Sequence, residues 1–219
     1  MKKYIDILRK CPLFNQISDE NLMKMLVCLG ARVEAFDKKY TIIKEGDPAR
    51  YVGVMLSGSA QIIRYDYYGN RSILSEITAS EVFGEAFACA EVGAVPVTMV
   101  ANEPCEVMLI DASHILHTCE NHCIFHQQLI FNLMKDLAVK TLSFHQKIEI
   151  VSKRSTREKL LTYLMLQSKK AGSESFEIPF DRQALADYLE VDRSGLSNEI
   201  SKLRQEGIIE NRKNYFRLI

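Results

Sequence analysis

The stretch from Phe180 to Ile209 constrains this 219-residue chain more than any other part of it. It runs Phe180-Asp181-Arg182-Gln183-Ala184-Leu185-Ala186-Asp187-Tyr188-Leu189-Glu190-Val191-Asp192-Arg193-Ser194-Gly195-Leu196-Ser197-Asn198-Glu199-Ile200-Ser201-Lys202-Leu203, which reads as two short helices around a tight turn. Leu196, Ile200 and Leu203 recur at i, i+4 and i+7, so they share a face and point inward. Arg193, Ser194, Ser197, Asn198 and Ser201 lie off that face. Their short hydroxyl and amide groups let a helix backbone approach base edges, and Arg and Asn can each donate or share two hydrogen bonds with a base. Asp181 and Asp192 are placed to cap the two helices. Arg182 and Gln183 stand at an N-terminus, where free N–H groups suit a phosphate. Glu190 occupies a turn position that often holds Gly. A left-handed residue there costs about 1–2 kcal/mol, so a turn of different shape is expected. Beyond Gly207, residues 208–210 and 215–217 read as strands joined by Asn211 to Asn214, with Arg212 and Lys213 at the turn, as in a wing beside the DNA backbone.

Net charge is zero, which is unusual for a nucleic-acid binder, but its distribution is uneven. Residues 1–152 carry 15 Lys and Arg against 18 Asp and Glu; residues 153–219 carry 13 against 10. The basic excess therefore lies with the two-helix motif, where a nucleic-acid partner needs it. Hydrophobic content of 47% and charged content of 26% fit a globular chain without a membrane span. No signal-peptide core follows Met1-Lys2-Lys3, so a cytoplasmic protein with reduced cysteines is expected.

Residues 4–29 read as short helices, with Ser18-Asp19-Glu20-Asn21 as an imperfect capping box. From about residue 32 to 111, β-branched runs alternate with turns: Tyr40–Ile43, Tyr51–Leu56, Gln61–Tyr65, Ser72–Ile77, Val97–Ala101 and Glu106–Ile110. Short strands at regular spacing with Gly at the turns predict a β-roll of jelly-roll type. Residues 113–152 turn helical. Ile130, Met134, Leu137, Thr141, Phe144, Ile148 and Val151 recur at alternating steps of four and three, a coiled-coil seam. A second line, Phe125, Leu129 and Leu133, is expected to rest on the barrel. A helix apolar on two sides needs two surfaces, and the second is most simply another copy of itself.

Barrel, seam helix and winged helix-turn-helix, in that order, resemble the cyclic-AMP receptor/fumarate-nitrate regulator (Crp/Fnr) superfamily of bacterial transcription factors. The resemblance covers nearly the whole chain. It rests on Glu45-Gly46-Asp47, on Gly58 in Leu56-Ser57-Gly58-Ser59, on Phe83-Gly84-Glu85 and on the C-terminal motif. It implies an α+β fold: a cyclic-nucleotide-binding-like β-roll sensor over residues 1–112, a dimerisation helix over 113–152 and a winged helix-turn-helix over 153–219. It further implies a homodimer on a two-fold-symmetric duplex, with half-sites about one helical turn apart. By resemblance Arg193, Ser194 and Asn198 take base-reading places and Arg182 and Gln183 phosphate places, with Ser197, Lys202 and Arg212 as further DNA contacts. Members commonly carry Arg-Glu at the first pair, so Ser194 implies a different base preference.

The effector pocket departs further. By resemblance it comprises Phe83, Gly84, Glu85, Val95, Pro96, Val97, Phe144 and His145. In cyclic-nucleotide members the Glu holds the ribose hydroxyl, and an Arg beside Ser or Thr pairs with the cyclic phosphate. Here that place falls in Gly93-Ala94-Val95-Pro96-Val97-Thr98. No Lys or Arg occurs anywhere in the 63 residues from Ser72 to Met134, which hold eight Asp and Glu. A buried phosphate without a cation bears a large desolvation cost, so cyclic AMP is disfavoured and the cofactor is left unknown. Arg64 or Arg71 folding in from outside is the route by which this would fail. On one helix Cys119, His122, Cys123 and His126 would share a face, a spacing suited to Zn²⁺ or another transition metal. A metal- or redox-sensing regulator is therefore the alternative, against small buried Cys beside solvated His. No nucleophile motif, phosphate loop or carboxylate dyad supports an enzyme. Expected partners are double-stranded DNA, a second copy, an unidentified small effector and, as a candidate, RNA polymerase, with no membrane.

Overall fold

The computed structural model describes residues 1–116 and 124–219. They form two compact units, residues 1–64 with 74–141 and residues 65–73 with 142–219.

The first unit opens with helices α1 (Ile5–Leu8) and α2 (Asp19–Cys28). The strands of the roll are β1 (Arg32–Phe36), β2 (Thr41–Ile43), β3 (Tyr51–Ser57), β4 (Ser59–Tyr65), β5 (Arg71–Thr78), β6 (Val82–Phe83), β7 (Thr98–Ala101) and β8 (Cys105–Asp111), with α3 (Glu85–Cys89) between β6 and β7; the end of β4 and the start of β5 fall in the second unit. Two four-stranded sheets result, in orders β1-β8-β3-β6 and β2-β7-β4-β5. Every expected run is a strand. β1 and the two-residue β6 are additional; β6 is too short to show a period.

Successive side chains of a strand face opposite ways, and β3 and β8 use both faces. Val52, Val54 and Leu56, with Met108 and Ile110, join Leu8, Phe14, Leu22 and Leu26 of the N-terminal segment in one apolar cluster. Met55, Cys105 and Val107 face the other way and meet Phe83, Met99, Ala60 and Ile77 inside the roll. Gly53 of β3 is required by this packing: an added Cβ would lie 2.1 Å from the Phe83 ring. The capping box at Ser18 does not close. Its side chain caps no backbone N–H, and the Asn21 amide donates to the Ser18 hydroxyl at 2.8 Å.

After α4 (Ala112–Leu116) comes the long helix α5 (Ile124–Val151). Leu129 and Leu133 are buried in the N-terminal cluster, and Leu137 packs against it. Leu137 thus extends the barrel-facing line rather than the seam. Met134, Phe144 and Ile148 are exposed as the seam requires, but so are Phe131 and Leu142, while Ile130 and Val151 are half-buried. The exposed stripe is rotated from the one read by spacing alone, because 129, 133 and 137 step by four along the buried side.

The second unit holds α6 (Thr156–Ala171), β9 (Ser175–Glu177), α7 (Arg182–Leu189), α8 (Arg193–Gln205), β10 (Ile209–Arg212) and β11 (Tyr215–Leu218). A full capping box starts α6: the Ser155 hydroxyl accepts from Glu158 N–H, and Ser155 N–H donates to the Glu158 carboxylate at 3.0 Å. The wing is β10 and β11, joined more tightly than expected through Lys213 and Asn214, and β9 adds an unforeseen third strand. No helix among the described residues is long and apolar enough to cross a membrane.

Gly53→Ala is expected to lower stability by about 1–3 kcal/mol through overpacking on Phe83. Adding Phe83→Leu should recover part of the loss in urea denaturation, whereas an unchanged deficit would mean that the ring is not the obstacle.

Candidate DNA-reading helix and sensor site

Helix α8 is cut to length by its caps. The Asp192 carboxylate accepts from Gly195 N–H at 2.8 Å at its start, and Asp181 does the same for Ala184 N–H at 2.8 Å at the start of α7. Leu196, Ile200 and Leu203 are buried. Arg157 of α6 reaches Glu199 at 3.2 Å and Glu206 at 3.0 Å, holding the back of α8. Arg193, Ser194, Asn198, Ser201 and Lys202 are exposed and Ser197 is half-buried, as the sequence placed them. The hydroxyls are partly occupied: Ser197 donates to the Arg193 carbonyl at 3.0 Å, Ser201 to the Ser197 carbonyl at 3.0 Å, and Ser194 to the Asp192 carboxylate. They keep acceptor lone pairs for a partner. The Gln183 amide donates to Asp187 at 2.8 Å. Arg212 is exposed on the wing.

Arg182 and Arg193 begin α7 and α8. Burial holds the Arg182 guanidinium below its ordinary range, and Arg193 adds to the effect. Two cations therefore sense one another at paired helix N-termini, and neither is ion-paired among the described residues. The helix dipole favours an anion at such ends, where Asp181 and Asp192 already take some of the backbone N–H groups.

The turn between α7 and α8 corrects the expectation of a different shape. Glu190 adopts φ 53° and ψ 56°, the left-handed conformation that Gly usually supplies. Two lysines compensate. Lys159 donates to the Glu190 carbonyl at 3.2 Å, and Lys147 of α5 donates to the Tyr188 carbonyl with its ammonium 3.5 Å from the Tyr188 ring centroid. Cations suit the carbonyl end of a helix. Lys147 is buried, and burial pushes its pKa from 10.5 to about 8, with Glu190 opposing the shift and Lys159 reinforcing it. Neither lysine was singled out from the sequence; nothing in spacing marks which exposed-looking cation folds inward.

The candidate sensor site is built on β6 and α3. Gly84 takes φ 77°, and an added Cβ would come 2.8 Å from the Tyr51 carbonyl oxygen, so only glycine fits. That turn delivers Glu85, which is buried. The Glu85 carboxylate receives the Lys140 ammonium of α5 at 2.7 Å; the same ammonium donates to the Val82 carbonyl at 2.7 Å and pairs with Asp136 at 2.9 Å. Phe83, Val95 and Val97 are buried and Pro96 is exposed. Phe144 and His145 are exposed on the part of α5 that belongs to the second unit. Arg71 pairs with Asp187 at 3.5 Å within the second unit. A surface cleft of about 490 Å³ lies elsewhere, lined by Ala35, Phe36, Asp37, Ser57, Pro104, Cys105 and Glu106.

Of the metal candidates, Cys119, His122 and Cys123 lie outside the described residues. His126 is buried, with Nε2 2.7 Å from the Ile115 carbonyl, which makes that nitrogen a donor. Among the described residues no group of three or more His, Cys, Asp or Glu could hold a metal ion.

The family model for the cyclic nucleotide-binding domain matches residues 33–122, and that for the Crp-like helix-turn-helix domain matches residues 158–219. The chain belongs to the Crp/Fnr superfamily. It is a transcriptional regulator of that type, with a cyclic-nucleotide-binding-type domain ahead of a DNA-binding helix-turn-helix. Solved structures show the same fold. The c-di-GMP responsive global regulator CLP of Xanthomonas campestris is 17% identical, with a TM-score of 0.74 over 91% of this chain and 99% of that one. A CooA mutant from Carboxydothermus hydrogenoformans is 16% identical, with a TM-score of 0.70 over 93% of both chains. FixK2 from Bradyrhizobium japonicum is 20% identical, with a TM-score of 0.66 over 86% and 92%. No curated protein matches the chain in sequence.

Two outcomes are expected at the turn. Glu190→Gly should stabilise the second unit by up to about 1 kcal/mol, the relief of left-handed strain less the entropy of glycine. Because Lys147 has a depressed folded pKa, the unfolded chain binds more protons between pH 8 and 10.5. Stability should therefore rise with pH through that window, by at most about 1.4 kcal/mol per pH unit from this group. Urea denaturation at several pH values should show this slope in the parent and a shallower one in Lys147→Met.

Proposed function

We propose that this regulator is a homodimer that reads a two-fold-symmetric duplex, with residues 153–219 as reader, 113–152 as dimerisation segment and 1–112 as sensor. Arg193, Ser194, Ser197 and Asn198 face the base edges; Arg182, Gln183, Lys202 and Arg212 meet phosphates. The supporting observation is the pair Arg182 and Arg193: two cations at helix N-termini that form no ion pair among the described residues. A phosphate supplies the missing charge.

The second copy is the occupant of the exposed stripe on α5. Phe131, Met134, Leu142 and Ile148 are each more than half exposed, an apolar surface that a lone chain rarely leaves open. A two-fold DNA site and a self-complementary helix face require the same symmetry operator. The sensor responds to a small effector other than cyclic AMP. Lys140 is the cation at Glu85, and it is already committed to two carboxylates and a carbonyl, so it is not a phosphate clamp. The non-helical link Ser152–Ser155 is the hinge through which a signal would pass to the reader.

Fluorescence anisotropy on a selected duplex tests this reading. Arg193→Ala should cost about 1–3 kcal/mol and relax discrimination at one base pair in each half-site. Lys202→Ala should weaken all sequences alike and reduce the slope of log affinity against log salt by about 1. No binding of any duplex at low salt would refute it.

A further inference from the structure

We propose that Lys140 is a built-in occupant of the Glu85 subsite, so that the regulator takes DNA without a small molecule, and an effector competing for Glu85 lowers DNA affinity rather than raising it. This deepens the reading above and rests on it.

An ammonium has three N–H donors. Lys140 donates to Glu85 at 2.7 Å and to the Val82 carbonyl at 2.7 Å, and it forms an ion pair with Asp136 at 2.9 Å. The two carboxylate side chains are 4% and 10% exposed. Glu85 and Val82 flank the Gly84 turn of the sensor, whereas Asp136 and Lys140 are one turn apart on α5. The clamp thus ties the turn to the helix, the link that a ligand held by Glu85 would otherwise have to make.

A competing ligand cannot simply be added. The stretch from Ser72 to Met134 has no Lys or Arg, so Lys140 is the counter-charge that Glu85 has. Prising it away leaves buried carboxylates uncompensated, which is strongly unfavourable. The roll beside it is filled by Met55, Phe83 and Met99. Glu85 Oε2 is buried without a hydrogen-bond partner among the described residues. A hydroxyl or amine can reach this oxygen first, and a ligand that then turns the carboxylate so as to take Oε1 as well displaces Lys140 and releases α5.

The test uses the full chain, dialysed free of small molecules, and a random duplex pool. The parent is expected to enrich a two-fold-symmetric sequence without additive and to bind it equally tightly with cyclic AMP or cyclic GMP present. Lys140→Met and Glu85→Gln, with parental circular dichroism, should each bind that duplex about tenfold or more weakly, the ordinary size of coupling between sites. Enrichment only after a cyclic nucleotide is added, or variants binding as tightly as the parent, overturns the proposal while leaving the DNA reading intact. Absence of binding to any duplex in every condition overturns the DNA reading instead. Should either variant not fold, hydrogen exchange on the ligand-free parent decides: slow amides over residues 133–141 are expected, and fast exchange there contradicts the clamp.

Discussion

Helix α5 is apolar on two sides, and the arrangement of the chain follows from that. Leu129, Leu133 and Leu137 attach one side to the cluster shared by the N-terminal helices and the sheet. The other side presents Phe131, Met134, Leu142 and Ile148 to solvent. At roughly 1.5 Å per residue such a helix spans about 40 Å, enough for a continuous interface. Under the proposed reading a second identical helix covers that surface, and the reader then comes in two copies.

Charge is the second constraint. A long stretch of the sensor lacks cations, yet it buries Glu85. α5 supplies the missing charge through Lys140. Seven residues on, Lys147 serves the second unit by capping the carbonyl end of α7 under the Tyr188 ring. The same helix thus satisfies an orphan acid in one unit and a strained turn in the other. At the N-termini of α7 and α8 the logic reverses: Arg182 and Arg193 form no ion pair among the described residues, and under the proposed reading a phosphate supplies the counter-charge.

The sequence made the periodic parts legible. The strands of the roll, the caps Asp181 and Asp192 and the buried stripe of α8 follow from local pattern and stand where that pattern placed them. What escaped depends on partners distant in the chain. β9 has one buried residue, Phe176, and gains its strand character only by pairing with β11. The left-handed turn at Glu190 looked too costly because the lysines that hold it lie 31 and 43 residues earlier. The run from Ser72 to Met134 holds no Lys or Arg, yet Glu85 does have a cation beside it, because Lys140 comes from beyond the run.

Sedimentation equilibrium of the purified chain at micromolar concentration tests the paired helix most directly. The account predicts a species of twice the 25.0 kDa chain mass, reduced to the single mass when Leu142 and Ile148 are both replaced by Glu. A parent chain that sediments at the single mass, or a Leu142→Glu/Ile148→Glu variant that keeps the doubled one, would contradict it.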